Sequence, residues 1–227
     1  MTDYKPMMSD ERVKKIKQWH EDAKSDKSAR KITKMKVLGR RFEVPGNVFD
    51  PKPIGLWESV LEEVKETDRV LDMGTGSGVN GILSASKSSD VVAVDVNPAS
   101  VENAKHNAEL NNVSSRMHFA VGDLFEAVRG KFDLILFDPP FRWFKPRDMR
   151  ERSTADENYQ TLTAFFNEAS GYLTERGRIL LFFGTSGDID YLYKLIDEAG
   201  LKKEVVNHSE HEKDGMQVEY FTFRLTQ

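Results

Sequence analysis

A strand followed at once by a glycine-rich loop limits the folds open to this chain more than any other feature. Val70–Met73 is a short apolar segment, Gly74, Gly76 and Gly78 follow at alternate positions, and helical periodicity begins at Val79. Glycine tolerates a positive φ and lets a ligand lie directly against the backbone. Because open α/β sheets bind ligands beyond the carboxyl ends of their strands, the segment predicts an α/β domain with a binding site at this loop.

The rest of the chain continues the alternation of strands and helices. Near-continuous apolar runs such as Leu134–Phe137 suit central parallel strands, and right-handed crossovers give a doubly wound, Rossmann-like sheet. We predict a mostly parallel seven-stranded sheet that ends in an antiparallel hairpin, since the polar connection His208–Met216 leaves no room for a helix. A smaller hairpin over Lys36–Val44, turning at Gly39-Arg40, precedes the sheet. The predicted strands are Val70–Met73, Val91–Asp95, Arg116–Val121, Leu134–Phe137, Arg178–Phe183, Lys202–Asn207 and Val218–Leu225. The predicted helices are Leu56–Val64, Val79–Ser86, Pro98–Leu110, Leu124–Val128, Asn158–Leu173 and Ile189–Ala199.

The N-terminal region differs from the rest in charge. Residues 11–41 contain 12 Lys and Arg against four acidic residues, a net charge of +8, whereas residues 42–227 carry −11. Apolar residues at helical spacing predict a helix over about Ser9–Arg30. We therefore divide the chain into a basic helical arm, residues 1–35, and a domain, residues 36–227, that is expected to fold without the arm. The arm either binds a polyanionic partner or is a solvated helix with lysines on its outer face.

Composition restricts the compartment and the metal chemistry. The chain has no cysteine, which excludes disulfides and Cys-ligated zinc. No apolar run could span a bilayer, and the first ten residues lack the apolar stretch of a signal peptide, so we expect a cytoplasmic protein with no membrane partner. His208 and His211 have a spacing found among metal ligands, but a solvated turn is the favoured interpretation, because no third ligand is in view. No metal is expected.

Two classes of nucleotide cofactor compete for the glycine loop. A dinucleotide fingerprint would place its third glycine at position 79, which is valine here. Asp95 ends the second strand of the predicted sheet, where a carboxylate can accept both ribose hydroxyls in charge-assisted hydrogen bonds. Dehydrogenases also have an acid at that place, so Asp95 predicts a nucleoside ligand without choosing between the classes.

The loop resembles that of class I S-adenosylmethionine-dependent methyltransferases. Their pattern, acid-x-Gly-x-Gly-x-Gly, matches Asp72 to Gly78 throughout. The resemblance implies S-adenosylmethionine as the cofactor, and it implies that Asp123, after the third strand, faces the adenine amine; Asp123 could instead cap a helix. The cofactor-binding residues it implies are Asp72, Gly74, Thr75, Gly76, Gly78, Asp95 and Asp123.

The fourth strand of the predicted sheet ends in the tetrapeptide Asp138–Phe141. Neither proline can donate to a strand ladder, so the strand stops, and the Pro139 carbonyl is presented rigidly. If the Asp138 carboxylate accepts one hydrogen of a planar amino group and the Pro139 carbonyl the other, the nitrogen lone pair can face a methyl donor. Phe141 supplies a face for stacking. We predict Asp138, Pro139, Pro140 and Phe141 as the catalytic residues.

Asp-Pro-Pro-Phe resembles the motif of amino-methyltransferases, an acid or Asn followed by Pro-Pro and an aromatic residue. Leu38–Val44 and Val48–Pro53 look like segments that precede the cofactor loop in release-factor glutamine methyltransferases and in ribosomal-RNA guanine methyltransferases of the "small" domain type. The resemblance covers roughly residues 36–225. The glutamine enzymes differ, since they have Asn-Pro-Pro-Tyr in place of Asp138 and Phe141, and a substantial helical N-terminal domain.

Basic residues interleaved with aromatic residues follow the tetrapeptide. Arg142, Lys145 and Arg147 suit a phosphate backbone with an extruded base, so RNA or DNA is the expected partner of these residues and of residues 11–41. The other interpretation is a lid whose arginines pair with neighbouring acids. We predict an N-methyltransferase acting on an amino group of a planar substrate, most simply a nucleic-acid base, with RNA favoured. A protein glutamine amide, a small molecule and a non-catalytic nucleic-acid-binding module stay open.

Overall fold

The computed structural model describes residues 4–22, 32–51, 57–213 and 215–227. Within these ranges the chain forms a two-stranded hairpin and a seven-stranded sheet. The strands are β1 (Thr33–Val37), β2 (Arg40–Val44), β3 (Arg69–Met73), β4 (Asp90–Asp95), β5 (Met117–Val121), β6 (Phe132–Phe137), β7 (Leu173–Gly184), β8 (Lys202–Lys213) and β9 (Met216–Thr226). The α-helices are α1 (Asp10–Asp22), α2 (Trp57–Glu63), α3 (Val79–Ala85), α4 (Pro98–Leu110), α5 (Gln160–Glu168) and α6 (Ile189–Glu198).

The order of the strands confirms the predicted doubly wound fold. The seven strands lie in the order β5-β4-β3-β6-β7-β9-β8. The first five are parallel to one another, and β9 runs antiparallel to both β7 and β8. The chain passes from β3 outward through β4 and β5, and then returns to β6 on the other side of β3. The order therefore switches between β3 and β6, where open α/β sheets bind their ligands.

The centre of the sheet is buried as its apolar composition requires. Leu71 on β3, Ile135 on β6 and Leu180 on β7 are each fully buried. Helices on the sheet form two groups, since α3 contacts both α2 and α4, and α5 contacts α6. Across the described ranges no helix is both long and apolar enough to cross a membrane.

Several predicted boundaries are wrong for identifiable reasons. The small hairpin turns at Leu38-Gly39, because both residues have positive φ, the backbone that matches the twist of a two-residue hairpin. The predicted helix Leu124–Val128 does not form: residues 124–127 are in turns, with Leu124 at φ 45°. The helix predicted from Asn158 begins as an α-helix only at Gln160, since Asn158 and Tyr159 have φ near 55°.

The C-terminal hairpin is longer than predicted. β8 continues to Lys213, so His208 and His211 lie on a strand rather than in a solvated turn. Pairing with β9 provides hydrogen-bond partners for the backbone of this polar stretch. Its polar composition therefore wrongly indicated a turn. The pairing also brings ligand atoms of His208, Glu210 and Glu219 within 4.8 Å of one another, a grouping that spacing along the chain does not reveal.

The N-terminal segment, defined here as residues 4–22, packs onto the domain. Ile16 on α1 is completely buried. The Tyr4 hydroxyl donates to the Asp188 carboxylate at 2.7 Å, and its ring lies 5.0 Å from that of Tyr159. The Arg12 guanidinium donates to the Thr185 carbonyl at 2.7 Å. These contacts attach residues 4–22 to the domain, and folding of the domain without the arm stays a prediction. The rest of the predicted helix, residues 23–30, lies outside the described residues.

Candidate active site

The glycine loop places backbone at the carboxyl end of β3. Gly74, Gly76 and Gly78 all have positive φ, between 54° and 87°, a conformation that disfavours any residue with a Cβ. The Thr75 amide donates to the Val94 carbonyl at 2.9 Å and so ties the loop to β4. At Gly78 a Cβ would also lie 3.1 Å from Ala104 of α4. One side of the loop therefore packs against β4 and α4, and the other side borders a cavity.

Asp72 supports the loop from behind. Its carboxylate accepts the Thr75 hydroxyl at 2.5 Å and the Gly81 amide at 2.9 Å. The side chain is almost completely buried, and burial raises its pKa to about 6. Neither Asp72 nor Gly78 lines the cavity, although both belong to the predicted cofactor set. In the structure, these two residues shape the loop and the first turn of α3.

Two further acids of the predicted set line the cavity. Asp95, at the end of β4, accepts the Gly76 amide at 2.9 Å and the Asn97 amide at 2.8 Å, and burial raises its pKa. Asp123 follows β5 and pairs with Arg152 at 3.3 Å. Because turns follow Asp123, the alternative that it caps a helix is wrong. The carboxyl ends of β3, β4 and β5 thus bring the glycine loop, Asp95 and Asp123 to one cavity.

The tetrapeptide leaves β6 at the same edge of the sheet. The Asp138 side chain is accessible from the cavity, and no described residue donates a hydrogen bond to its carboxylate. Its surface is exposed to the cavity, but the protein around the cavity desolvates the carboxylate, and this desolvation, together with the nearby charge of Asp72, raises the pKa of Asp138 to about 7. Pro139, Pro140 and Phe141 line the cavity beside it. The Phe141 ring lies 5.1 Å from that of Phe183.

The cavity joins the loop and the tetrapeptide in one volume of about 590 Å³. That size is typical of sites for small molecules and cofactors. Several of its residues were not predicted as site residues, since no motif indicates them: Trp19, Asn80, Met149, Phe182, Ser186 and Tyr220. Trp19 was assigned only to the apolar face of a helix, and no sequence signal links it to a site more than 100 residues away. Of the predicted segment Val48–Pro53, residues 52 and 53 lie outside the described residues.

The basic residues after the tetrapeptide divide into two kinds. The Arg147 guanidinium donates to the Glu151 carboxylate at 2.8 Å, and the Lys145 ammonium lies 3.9 Å from Glu157. These two side chains are exposed and already have acidic partners, as the lid interpretation expects. Arg142 instead turns inward and lines the cavity, with its guanidinium 5.1 Å from the centre of the Trp19 ring.

Fold, glycine loop and strand-end acids together define a class I S-adenosylmethionine-dependent methyltransferase. Comparison with known proteins agrees, because the family model of the methyltransferase small domain matches residues 56–202. The chain belongs to the methyltransferase small domain family.

The relatives include enzymes that act on proteins. The chain is 36% identical over 183 residues to a Methanocaldococcus jannaschii protein provisionally named protein N5-glutamine methyltransferase, covering 75% of this chain and 89% of the relative. It is 31% identical over 182 residues to a release factor glutamine methyltransferase of Cereibacter sphaeroides, covering 73% of this chain and 64% of that protein. This chain therefore spans less than two thirds of the second relative.

Solved structures with the same fold include enzymes named for RNA. A complex of aTrm5 with tRNALeu aligns with a TM-score of 0.66 at 21% identity, over 86% of this chain and 53% of that one. Trm5b from Pyrococcus abyssi aligns with a TM-score of 0.64 at 21% identity, over 87% and 57% of the two chains. At this identity the likeness establishes the fold alone.

Proposed function

We propose that this protein methylates the amino nitrogen of a planar substrate held by Asp138 and the Pro139 carbonyl. The observation that carries the proposal is a carboxylate that is exposed to the cavity beside the cofactor loop and to which no described residue donates a hydrogen bond. Such a carboxylate can accept one N–H of the substrate, and the rigid Pro139 carbonyl can accept the other. The nitrogen is then held with its lone pair directed at the methyl donor, so that most of the catalysis comes from alignment and desolvation.

The glycine loop and two acids fit S-adenosylmethionine. Positive φ at Gly74 and Gly76 presents backbone without a Cβ toward the cavity, as a ligand in close contact requires. Asp95 would accept the ribose hydroxyls and Asp123 the adenine amine. When bound, the cofactor supplies a methyl group on a sulfonium sulfur. The methylated nitrogen must lose one proton, and Asp138, with its pKa near 7, can accept it.

A nucleic-acid base, with RNA favoured, is the substrate we propose first. Trp19, Phe141 and Tyr220 line the cavity that contains Asp138, and aromatic faces of this kind stack with an extruded base. Lys14 and Lys17 are exposed on the same helix as Trp19 and could contact phosphates. The ion pairs of Lys145 and Arg147 weaken the original assignment of those two residues to the phosphate backbone.

A glutamine carboxamide is the second candidate, and the relatives favour it. Two proteins above 30% identity carry glutamine methyltransferase names. A carboxamide is also planar and presents two N–H groups to the same acceptors. The resemblance weighs against it at one position, since the glutamine enzymes have Asn where this chain has Asp138.

Methyl transfer from a labelled donor distinguishes the two candidates. Purified protein is incubated with labelled S-adenosylmethionine and with total RNA, DNA or protein extract, and the products are digested and identified by mass spectrometry. We expect label in a base with a methylated amino group, and none when Asp138→Ala replaces the wild type. Label in N5-methylglutamine would move the second candidate ahead. Label in none of the three extracts would contradict both macromolecular substrates.

A further inference from the structure

Arg142 holds a fixed position on the cavity wall, one residue beyond the tetrapeptide. Its backbone amide donates to the Thr154 carbonyl at 3.3 Å, and its carbonyl accepts the Asp156 amide at 2.7 Å. Both bonds join the segment after Phe141 to the turn that precedes α5. The side chain is only partly exposed and points to the cavity that contains Asp138. The guanidinium is thus placed by backbone structure and not by a mobile surface loop.

Aromatic groups of the N-terminal segment, rather than a carboxylate, surround the Arg142 guanidinium. One nitrogen, Nη1, lies 3.2 Å from His20 Nδ1, and the group lies over the Trp19 ring. No carboxylate among the described residues lies within ion-pair distance of it. Arg152 and Arg178, by contrast, each pair with a carboxylate. Enclosure lowers the pKa of Arg142, as expected for a desolvated cation.

An enclosed cation without an anionic partner is costly, and proteins usually pair it. The neighbouring acid, Glu151, is engaged elsewhere, because both its carboxylate oxygens accept hydrogen bonds from Arg147. Arg142 donates to His20 through Nη1, so the remaining N–H donors of the guanidinium can bind a ligand. A guanidinium fork matches two oxygens of a phosphate or a carboxylate.

We propose that Arg142 recognises an anionic group of the substrate, a phosphate or a carboxylate attached to the molecule whose amino group Asp138 holds. The proposal rests on the proposed function only in assigning the Asp138 end of the cavity to the substrate. It makes Arg142 a specificity-determining residue rather than one of many contacts to a nucleic-acid backbone. Trp19 and His20 are positioning residues, since they hold the guanidinium at the cavity wall.

The His20 ring links this site to the segment beyond it. Because Nδ1 accepts from Arg142, the proton of a neutral ring is on Nε2, which lies 3.4 Å from the Glu151 carboxylate. Phe144 packs against the same ring, with centroids 4.7 Å apart. Replacement of His20 by alanine therefore removes a support of Arg142 while leaving the guanidinium itself present.

Calorimetry with matched charged and neutral probes tests the proposal. The full chain is saturated with S-adenosylhomocysteine and titrated with AMP and adenosine, and separately with N-acetylglutamine and N-acetylglutaminamide. We expect the charged member of one pair to bind roughly tenfold or more tightly than its neutral partner, the size expected of a charge-assisted contact. The pair that discriminates identifies phosphate or carboxylate as the source of the charge.

Variants then assign the preference to one residue. Arg142→Ala should abolish the preference for the charged probe over the neutral one. Arg142→Lys and His20→Ala should reduce this preference. The control is Lys145→Ala, which removes a nearby exposed cation that does not line the cavity and leaves the Arg147–Glu151 pair intact, so this variant should keep the preference. Affinity for S-adenosylhomocysteine within about twofold of wild type shows that each variant is folded; if Arg142→Ala fails this check, Arg142→Lys and His20→Ala decide.

The proposal is overturned if neither charged probe binds at millimolar concentration, if no pair discriminates, or if the preference survives replacement of Arg142. Equal loss of the preference in Lys145→Ala would also overturn it, because the effect would then come from the overall positive charge of the segment rather than from Arg142. These are binding measurements. Failure of the proposed function would appear instead as an absence of methyl transfer, with the charge preference intact.

Discussion

The two halves of the cavity are built in different ways. In the cofactor half, residues 69–123, the decisive hydrogen bonds join residues close in sequence, such as the Gly76 amide and Asp95, 19 residues apart. In the substrate half, residues 4–22 and 138–160, they join distant residues: Arg142 and His20 are separated by 122 positions, and Tyr4 and Asn158 by 154. One half is specified by a local motif, and the other is assembled only when the chain folds.

The largest effect should come from removing core contacts of the substrate half. Ile16→Ala should lower the free energy of unfolding by about 3 kcal/mol, since it empties a completely buried site on α1. Lys14→Ala, at an exposed position on the same helix, is the matched control and should change it by less than about 0.5 kcal/mol. Urea denaturation measures both. Equal, small effects would mean that the N-terminal segment is a dispensable arm, as first expected.

A smaller loss should follow from changing the cofactor half. Asp95→Ala should weaken binding of S-adenosylhomocysteine by about 2 kcal/mol or more, because it removes both the proposed ribose contact and the acceptor of the Gly76 amide. Ile16→Ala should leave the same affinity nearly unchanged if the protein stays folded. Calorimetry at a temperature well below the unfolding transition checks the pair. An equal loss of S-adenosylhomocysteine affinity in the two variants would contradict the assignment of cofactor binding to the cofactor half.

The pH dependence of turnover should reflect the raised pKa of the Asp138 carboxylate. Asp138 must be ionised to accept the substrate hydrogens, and its pKa is raised to about 7. Turnover at pH 6 should therefore be about tenfold below its plateau at higher pH. Stability should move oppositely. The folded state retains a proton that the unfolded state loses near pH 4, so stability falls as pH rises from 4 to 7, and Asp138→Asn removes that part of the fall. A turnover plateau extending unchanged to pH 5 would contradict the assignment.

The smallest effect should come from the exposed ion pairs. Lys145→Ala breaks the pair with Glu157, yet exposed pairs contribute little, so the free energy of unfolding should change by less than about 1 kcal/mol. Cofactor affinity should not change. A loss comparable to that of Ile16→Ala would show that the segment after the tetrapeptide stabilises the fold as strongly as the buried side of α1.

The loop conformation and the meeting of the strand-end acids at one cavity could be predicted from the sequence, because both depend on local spacing. Alternate glycines after a buried strand require positive φ, and acids at strand ends meet at one edge of a parallel sheet; both follow from spacing alone. Even there, the roles of Asp72 and Gly78 could not be separated from those of Gly74 and Gly76, because a motif does not tell which of its residues face the ligand.

The substrate half could not be predicted for the same physical reason. The position of Trp19 on the cavity wall depends on how α1 packs, and the apolar periodicity of a helix gives its buried face without giving the surface it covers. The pairing of Arg147 with Glu151, and the inward turn of Arg142, likewise depend on the path of the segment after Phe141. From composition, these basic residues form one group. In the structure they differ, because Arg147 and Lys145 have acidic partners and Arg142 lies over Trp19.

Asp138 offers the most direct test that the two halves form one methyl-transfer site. Turnover and S-adenosylhomocysteine affinity are measured for the wild type and for Asp138→Ala, with the substrate identified from labelled extracts. The account predicts that turnover falls at least about a hundredfold, while cofactor affinity stays within about twofold, since Asp138 acts on the substrate in the transition state. Turnover near that of the wild type, or an equal loss of turnover and cofactor affinity, would contradict it.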